Sequence, residues 1–541
     1  MEDWSYQEDF KQILIKRILG LKEGYRQNLA LLGDESVGKT ALVCRIISEL
    51  DDKQIIPIFI RARKESCESF ILRFCGTLLY AFLKSRSPET ELNQDINYLI
   101  RSAENIIPKT ISGIKTIQKN LEKRKYDELF IELLSILDLL FEESAKFTLV
   151  IFDEFHLLEK MPVKNLYREW AKKIILQKNT MYILISSAKF KSNQILLEKL
   201  SLLFGNFEKI EFNYLDLKKS ECLIKEILSP LTIEKSNIDF IINFTCGHPF
   251  YIHLIASKLK DHLKIENANK NQSEYIVEVL GKLLFDKWGI LNQKFISLLN
   301  NTIDNDKHSY DIIPLLLALS EGNTRIKELM QISHQPRKDI NSKLQKLIEK
   351  DIVIRNGDFF KISDPMFLFW LRFIYQERLK SFDFSRNTQI KFFEGKIRQM
   401  LKEFILNSQK TITERLTDLF SLFNDEAIQI EKSKIRLSRF REIKPLNLEG
   451  RSLNFAIIAR SSDFLWIVAI KTSGAIEEKD VLDFSQECKK YKTRSQHRIL
   501  VTFDDIDTNA RLLAKEQKIL TWNVASLNSI LDLYNKPRLL L

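Results

Sequence analysis

Short apolar runs alternate along the N-terminal half of the chain with apolar residues at helical spacing. Two of the runs, Leu29–Leu32 and Phe147–Phe152, are continuous and end at polar residues, which is typical of buried parallel strands. Between them, apolar residues recur every three or four positions, as on an amphipathic helix. Strands and helices in alternation predict an α/β fold built on a parallel sheet.

A glycine-rich motif with the pattern G-x-x-x-x-G-K-[ST] follows the first run. Its residues are Gly33, Asp34, Glu35, Ser36, Val37, Gly38, Lys39 and Thr40, and Ala41 continues into a helix. Such a turn lets backbone N–H groups face a polyphosphate at the positive end of the helix dipole. Lys39 then reaches the outer phosphates and Thr40 supplies a hydroxyl to Mg²⁺. The motif predicts a site for ATP with Mg²⁺.

The second apolar run delivers two carboxylates, Asp153 and Glu154, to the carboxyl end of its strand. Ligands bind at this edge of open α/β sheets. We expect Asp153 to hold Mg²⁺ and Glu154 to polarise the attacking water, with Lys39 assisting catalysis. His156, which comes shortly after, is interpreted as a polar residue at the start of a helix.

Two serines, Ser186 and Ser187, end a further predicted strand, Met181–Ile185. A hydroxyl here either senses the γ-phosphate, which makes Ser187 a catalytic candidate, or simply begins a loop. Arg61 and Arg63 follow another predicted strand, Ile55–Ile60, and are candidates for a nucleotide-contacting arginine by position only.

Four segments resemble motifs of a known family. Gly33–Thr40, Phe147–Glu154, Ser186–Ser187 and Gly247-His248-Pro249 are similar to the P-loop, Walker B, sensor and G-x-P motifs of the archaeal-ATPase branch of the STAND NTPases, relatives of AAA+ proteins. The resemblance covers about residues 1–375. It implies that Pro249 lies against the adenine base; without it, the G-x-P segment is only a turn before a helix.

A winged helix is predicted for about residues 309–363, from three helices and a hairpin with its turn at Asn356-Gly357. Its third helix carries Arg337, Lys338 and Lys343, which suit contacts with DNA phosphates. The family resemblance implies another role for the module, as an internal lid on the nucleotide, and both roles stay open.

From about residue 385 the order is helix, hairpin, helix, strand, helix and strand. It resembles the PD-(D/E)xK restriction-endonuclease-like fold, which archaeal ATPases often carry at their C-terminus. The resemblance places the nuclease lysine at Lys471, accessory polar residues at Glu394 and Gln486, and the two acids at Ala456 and Ala469. Metal-dependent cleavage needs both carboxylates, so we expect none from this chain.

Three explanations of the two alanines stay open. The domain is a degenerate nuclease kept for DNA binding, or its acids were replaced by alanine, which the coincidence of two alanines favours. In the third explanation the hairpin is aligned wrongly and the domain never was a nuclease.

The chain of 541 residues is long enough for the four domains that these patterns predict. They are a P-loop ATPase core at 1–215 with a helical insertion at about 85–145, a helical lid at 216–305, a winged helix with its following helix at 306–384, and a nuclease-like domain at 385–541.

A formal net charge of +11 suits a polyanionic partner, or serves solubility alone. Basic residues of the C-terminal domain, Lys434 and Arg436 among them, either line a phosphodiester backbone or form a solvated face. Six cysteines without a C-x-x-C pair predict a cytoplasmic protein, and apolar runs too short to span a bilayer predict no membrane partner.

The leading interpretation is an ATP-dependent switch with a DNA-binding, catalytically inactive nuclease-like effector, of the kind used against invading DNA. It includes a nucleotide-dependent homo-oligomer, DNA rather than RNA as partner, and room for a protein trigger. One alternative is a non-cleaving DNA-binding ATPase, such as an initiator-like or transposition regulator. The other is a partner-sensing ATPase scaffold whose basic charge has no role.

Overall fold

The computed structural model describes residues 7–87, 91–200, 207–265, 272–303, 311–380, 385–430, 433–447, 453, 455–491 and 496–540. The chain divides into two compact units. The first comprises Met1–Leu215 and two short segments, His248–Phe250 and Glu349–Asp351, and the second comprises the rest. The domain boundaries predicted near 305 and 384 fall inside the second unit and stay predictions.

A five-stranded sheet forms the centre of the first unit. Its strands are β1 (Asn28–Gly33), β2 (Ile55–Arg61), β3 (Phe147–Asp153), β4 (Thr180–Ser186) and β5 (Phe207–Phe212). They are all parallel and lie in the order β2-β3-β4-β1-β5. Every residue of β1 and β4 is buried, as continuous apolar runs predict. The sheet confirms the expected α/β fold built on a parallel sheet.

Helices cover both faces of this sheet. They are α1 (Glu8–Gly20), α2 (Lys39–Glu49), α3 (Cys67–Arg86), α4 (Ile96–Ala103), α5 (Pro108–Leu121), α6 (Tyr126–Ser144), α7 (Leu166–Leu176) and α8 (Lys189–Gln194). Alternate residues of β3 enter different cores: Leu149 and Ile151 pack on one face, and Val150 and Phe152 on the other. Asp153, the last residue of β3, therefore ends a strand that is packed on both faces.

The second unit begins with helices and continues into a winged helix. The helices are α9 (Leu217–Leu228), α10 (Lys235–Thr245), α11 (Pro249–Ile265, from Tyr251 onward in this unit), α12 (Gln272–Leu280) and α13 (Ile290–Thr302). The winged helix consists of α14 (Ile312–Ser320), α15 (Ile326–Ser333), α16 (Arg337–Glu349), β6 (Val353–Asn356) and β7 (Phe359–Ile362).

The hairpin of the winged helix turns one residue later than predicted. Asn356 still pairs with Phe359, so the two-residue loop is Gly357-Asp358 instead of Asn356-Gly357. Gly357 has φ +60°, a left-handed conformation that a glycine adopts without steric cost. The glycine therefore sits at the first loop position, where the positive φ is required.

Three helices follow the hairpin: α17 (Pro365–Trp370), α18 (Gln376–Lys380) and α19 (Arg386–Ser408). The sequence assigns α19 to the nuclease-like domain, but the helix packs against the predicted lid. The ring of Phe393 lies 5.7 Å from that of Phe285, and the ring of Phe404 lies 5.9 Å from that of Phe240. Its aromatic side chains thus fasten α19 to the helices that precede the winged helix.

The C-terminal part contains a second, mixed sheet. Its elements are α20 (Ile412–Phe420), β8 (Glu426–Ile430), β9 (Ser433–Leu437), β10 (Glu442–Asn447), β11 (Phe455–Arg460), β12 (Leu465–Lys471), α21 (Glu478–Lys489), β13 (Gln496–Thr502), α22 (Thr508–Glu516), β14 (Ile519–Trp522) and α23 (Val524–Leu533). In the order β10-β11-β12-β13-β14 the first three strands are antiparallel and the last three parallel. The restriction-endonuclease-like fold itself stays a prediction.

The mixed sheet packs a separate core on each face. The hairpin β8–β9 contributes Ile428 and Ile435 to one core, together with Val468 of β12. On the opposite face, Ala510 and Ala514 of α22 belong to the other core.

No helix in the described part of the chain is long and apolar enough to cross a membrane.

Candidate nucleotide site and basic surfaces

The loop between β1 and α2 is held by close backbone packing. A Cβ added to Gly33 would lie 2.5 Å from the carbonyl oxygen of Phe212 on β5, so only glycine lets these two strands approach. Gly38 has φ 96° and opens α2 at Lys39. The N–H groups of the first turn of α2, which have no intrahelical acceptor, therefore follow directly on the loop, where a phosphate site requires them.

Lys39 is folded back into this loop. Its side chain is buried, and Nζ donates to the carbonyl oxygens of Gly33 at 2.8 Å and Asp34 at 2.7 Å. Burial lowers the pKa of Lys39, while nearby carboxylates, Glu154 first among them, oppose that shift. The ammonium is thus positioned inside the cradle, where phosphate oxygens can replace the two carbonyls.

Thr40 and Asp153, predicted from separate motifs, meet at the carboxyl edge of the sheet. Thr40 Oγ1 donates to Asp153 Oδ1 at 3.1 Å, and Arg61 Nε lies 2.8 Å from Asp153 Oδ2. The pairing raises the pKa of Arg61. A hydroxyl and a carboxylate are the hard oxygen ligands that Mg²⁺ prefers, so the donor set fits the predicted metal. The described residues contain no group of three or more His, Cys, Asp or Glu arranged as a metal centre.

Glu154 has a left-handed backbone conformation, with φ 55°, and its side chain contacts the residue that follows β4. Its Oε2 accepts hydrogen bonds from the Ser187 N–H at 3.1 Å and from Ser187 Oγ at 2.9 Å. Burial raises the pKa of Glu154, and the hydrogen bonds from Ser187 oppose the shift. The structure thus brings the Ser187 hydroxyl to the candidate base, while both predicted roles, sensing the γ-phosphate or beginning a loop, stay predictions.

His156 is more than the polar helix-start residue that the sequence suggests. It lies in a 3₁₀ helix, Phe155–Lys160, with Nδ1 2.8 Å from Ser186 Oγ and 3.3 Å from Glu154 Oε2. Burial lowers its pKa to about 4, so the ring is neutral at pH 7. The histidine follows the acid by two residues, but that spacing alone does not reveal the contact.

Pro249 is the first residue of α11, where a proline costs no backbone hydrogen bond. It belongs to the first unit with His248, whose ring lies 5.0 Å from that of Tyr214. Tyr214 comes two residues after Phe212, which pairs with Gly33. This segment therefore lies at the P-loop edge of the sheet, and the contact of Pro249 with adenine stays a prediction.

Further polar residues around the P-loop have no local motif. Gln7 Nε2 donates to the carbonyl of Val37 at 3.3 Å, and Lys189 Nζ pairs with Asp34 Oδ1 at 2.7 Å. Asp351 accepts a hydrogen bond at 3.0 Å from the backbone N–H of the residue after Lys189. Burial raises the pKa of Asp351 to about 6. These contacts join distant parts of the chain, so sequence patterns could not predict them.

The nuclease-like positions fall on one hairpin of the mixed sheet. Ala456 and Ala469 are directly opposite each other on β11 and β12. Lys471 Nζ donates to Asp480 Oδ2 at 2.6 Å and to the carbonyl oxygen of Ala475 at 2.7 Å. The Asp480 side chain is buried. The lysine therefore has a structural partner in place of the two absent acids.

The two accessory residues are not gathered around this lysine. Glu394 lies on α19, where Arg398 Nη2 is 3.3 Å from its Oε2 and 2.9 Å from an oxygen of Glu274 on α12. Arg398 therefore bridges α19 and α12, and neither helix belongs to the mixed sheet. Gln486 is on α21 with Asp480, but its side chain is exposed.

Four of the five basic residues predicted to contact DNA have exposed side chains, namely Arg337, Lys338, Lys434 and Arg436. Lys343 differs: Nζ donates to Gln335 Oε1 at 2.9 Å and lies 3.7 Å from an Asp311 oxygen. Since its side chain is mostly buried by these contacts, Lys343 is less accessible to a phosphate than its neighbours on α16.

No family model matches the chain, and no curated protein matches its sequence. Among solved structures, a Walker-type ATPase of Pyrococcus abyssi has 16% identity and a TM-score of 0.46, covering 68% of this chain and 95% of its own. The ORC2 protein of Aeropyrum pernix has 12% identity and a TM-score of 0.43, covering 69% and 94%. The RuvB branch-migration motor of Thermotoga maritima has 14% identity and a TM-score of 0.33, covering 66% and 91%. At such distances, the assignment of the site stands on its own geometry.

Proposed function

We propose that the chain is an ATPase whose first unit hydrolyses ATP and whose second unit binds DNA in response. The observation that carries the ATPase proposal is the meeting of two predicted motifs, the P-loop and the strand-end carboxylates, at one sheet edge. Thr40 bonds to Asp153 at 3.1 Å, Lys39 lies in the P-loop cradle, and Glu154 follows at the same edge. This combination is what phosphoryl transfer to water requires of a protein.

Thr40 and Asp153 would hold Mg²⁺, which supplies charge neutralisation between the outer phosphates. Phosphate binding and activation of the water are assigned to side chains and backbone groups of the chain. Lys39 exchanges its two carbonyl partners for phosphate oxygens, and the free N–H groups of α2 bind the phosphates. Glu154 orients the attacking water and accepts its proton.

Glu154 begins from a restrained position. Its Oε2 is occupied by the two hydrogen bonds from Ser187, so the proton of water goes to Oε1, or to Oε2 once one of these bonds is exchanged. Slow hydrolysis until the site closes is the behaviour that suits a switch, in which ATP sets one arrangement and hydrolysis resets it.

The second unit supplies the proposed DNA-binding part, through Arg337 and Lys338 on α16 and Lys434 and Arg436 on β9. We assign to its mixed sheet a nuclease-like fold that binds without cleaving, since alanine occupies both acid positions. An effector of this kind suits a STAND-like switch against invading DNA that assembles as a homo-oligomer. Changing Ala456→Asp and Ala469→Glu tests the ancestry: Mg²⁺-dependent nicking of duplex DNA supports it, and no nicking counts against it.

One experiment tests the switch. ATP turnover, oligomer size and affinity for duplex DNA are measured with ATP and with ADP for the unchanged chain and for Lys39→Ala, with Lys178→Ala as the exposed-lysine control. We expect Lys39→Ala alone to abolish turnover and the nucleotide response. The proposal is wrong if nucleotide state changes neither oligomer size nor DNA affinity in the unchanged chain.

A further inference from the structure

The tip of the wing is already bound within the second unit. Asp358 donates its N–H to the Ala427 carbonyl at 2.9 Å, and the Ala427 N–H donates to Asp358 Oδ2 at 2.8 Å. Asn356 makes the same reciprocal pair with the Gln429 backbone, accepting at 2.7 Å and donating at 3.1 Å. The hairpin β6–β7 is therefore joined through its turn to the edge of β8.

This junction is closely packed. A Cβ added to Gly357 would lie 2.0 Å from the carbonyl oxygen of Ala427. Next to it, Arg325 Nη2 lies 2.6 Å from Oε1 of Glu426, whose side chain is 4% exposed. Phe359, the first residue of β7, is buried in the core of the mixed sheet, with its ring 5.3 Å from that of Tyr534. The wing tip cannot enter a DNA groove without breaking these contacts.

Strand β9, next to the junction, carries two exposed cations, whereas the wing loop Gly357-Asp358 carries none. On β9, Ile435 and Leu437 point into the core, while Lys434 and Arg436 point outward. Lys434 stands opposite Gln429 and Arg436 opposite Ala427, the two residues that receive the wing. Neither cation has an acidic partner within the described part of the chain.

The wing itself offers little to a phosphate. Its loop carries the acid Asp358, and Lys361 on β7 lies 3.7 Å from Asp532, with a largely buried side chain. Arg355 is exposed, but its Nε donates to the Gly357 carbonyl at 3.0 Å and its guanidinium covers the Phe360 ring. Lys434 and Arg436, next to the wing, are therefore more accessible to a DNA phosphate than the cations of the wing itself.

We propose that the hairpin β8–β9 takes the place of the wing as the arm that contacts the backbone of duplex DNA, through Lys434 and Arg436. The wing then serves to fix this arm in place through its turn. The inference rests on the proposed DNA binding and names the surface that performs it. Contacts of this kind are made to phosphates, so they add affinity without selecting a sequence.

The test compares the salt dependence of binding to a short mixed-sequence DNA duplex. The variants are Lys434→Gln with Arg436→Gln, the wing change Arg355→Gln, and the control Arg511→Gln with Lys515→Gln, which removes the same charge from exposed positions on α22. Log K falls as log salt rises, and each lost phosphate contact makes this negative slope shallower by about 1. We expect the β9 pair to make it shallower by about 2 and the control pair to leave it unchanged.

The outcomes separate the two proposals. Unchanged slopes for the β9 pair, or a larger loss for Arg355→Gln, would overturn the hairpin assignment while DNA binding itself stands. No binding of the duplex by the unchanged chain would overturn the proposed function. Equal losses for the β9 and α22 pairs would show that only overall charge matters, and this also contradicts the assignment.

Discussion

Arg61 Nε lies 2.8 Å from Oδ2 of Asp153, and the two residues are direct neighbours at the ends of β2 and β3. The carboxylate is buried, with its side chain 1% exposed, whereas the arginine side chain is 55% exposed. The guanidinium therefore supplies the positive charge that a buried carboxylate needs, at the position where Mg²⁺ would bind. In the proposed function, Arg61 and Mg²⁺ would therefore compete for Asp153.

Changing Arg61→Gln should lower the stability of the nucleotide-free protein by about 1–2 kcal/mol. This is less than the cost of breaking a fully buried pair, because solvent screens the exposed guanidinium. Mg²⁺ with ADP should remove most of the difference, since the metal then compensates the charge of Asp153. Thermal unfolding with and without Mg²⁺ and ADP measures both effects. Arg101→Gln, at an exposed position on α4, is the matched control, and an equal loss in both conditions for Arg61→Gln would contradict the competition.

The two halves of this pair differ in how far the sequence predicts them. Asp153 follows a continuous apolar run, which is a local pattern, and the run also predicts its strand. Arg61 is 92 residues away, and only the order of strands in the sheet makes it a neighbour. The sequence therefore names Arg61 as a candidate by position without its partner. Lys189 and Asp351 are missed for the same reason.

Removing the hydroxyl of Ser187 should shift the pH dependence of ATP turnover. Burial raises the pKa of Glu154, and the bonds from Ser187 oppose the rise. In Ser187→Ala one opposing bond is lost, so the pKa rises further and the acid limb of the turnover profile moves to higher pH. Glu154→Gln should lower turnover by roughly 10²–10⁴-fold while ATP still binds. An unchanged acid limb in Ser187→Ala would exclude Glu154 as the group that titrates.

Two buried groups should give opposite trends in stability with pH. Burial lowers the pKa of His156 from 6.5 to about 4, so its contribution is present above pH 6.5 and is lost as pH falls toward 4. Burial raises the pKa of Asp351 from 3.8 to about 6, so its contribution is present below 3.8 and is lost as pH rises through 6.

Thermal unfolding between about pH 4 and 6.5 distinguishes these two groups. His156→Asn, which keeps a polar atom near Ser186, should weaken the loss of stability toward acid. Asp351→Asn should make that loss steeper, since the opposing contribution is gone. The same pH profile in both variants and in the unchanged chain would contradict both assignments.

In the C-terminal part, local sequence patterns predict the strands and helices but not the contacts between them. The succession of strands and helices is local, and the alternation of β9 identifies Lys434 and Arg436 as outward residues. The docking of the wing on β8 joins Asn356 and Asp358 to backbone groups about 70 residues further along the chain, which no local pattern records. In the same way, a lysine at the end of β12 suggests nuclease chemistry, but its ion pair depends on how α21 packs against the sheet.

Lys471 and Asp480 form a buried ion pair, with side chains 13% and 3% exposed. Lys471→Met leaves the carboxylate without its cation and should cost about 3 kcal/mol or more. The double change Lys471→Met with Asp480→Asn should recover much of that loss, because no charge stays buried and the asparagine oxygen can still accept from the Glu477 N–H. Thermal unfolding of the unchanged chain, both single variants and the double variant gives the coupling between the two residues. A double variant no more stable than Lys471→Met would refute a structural ion pair and would return the lysine to the candidates for phosphate contact.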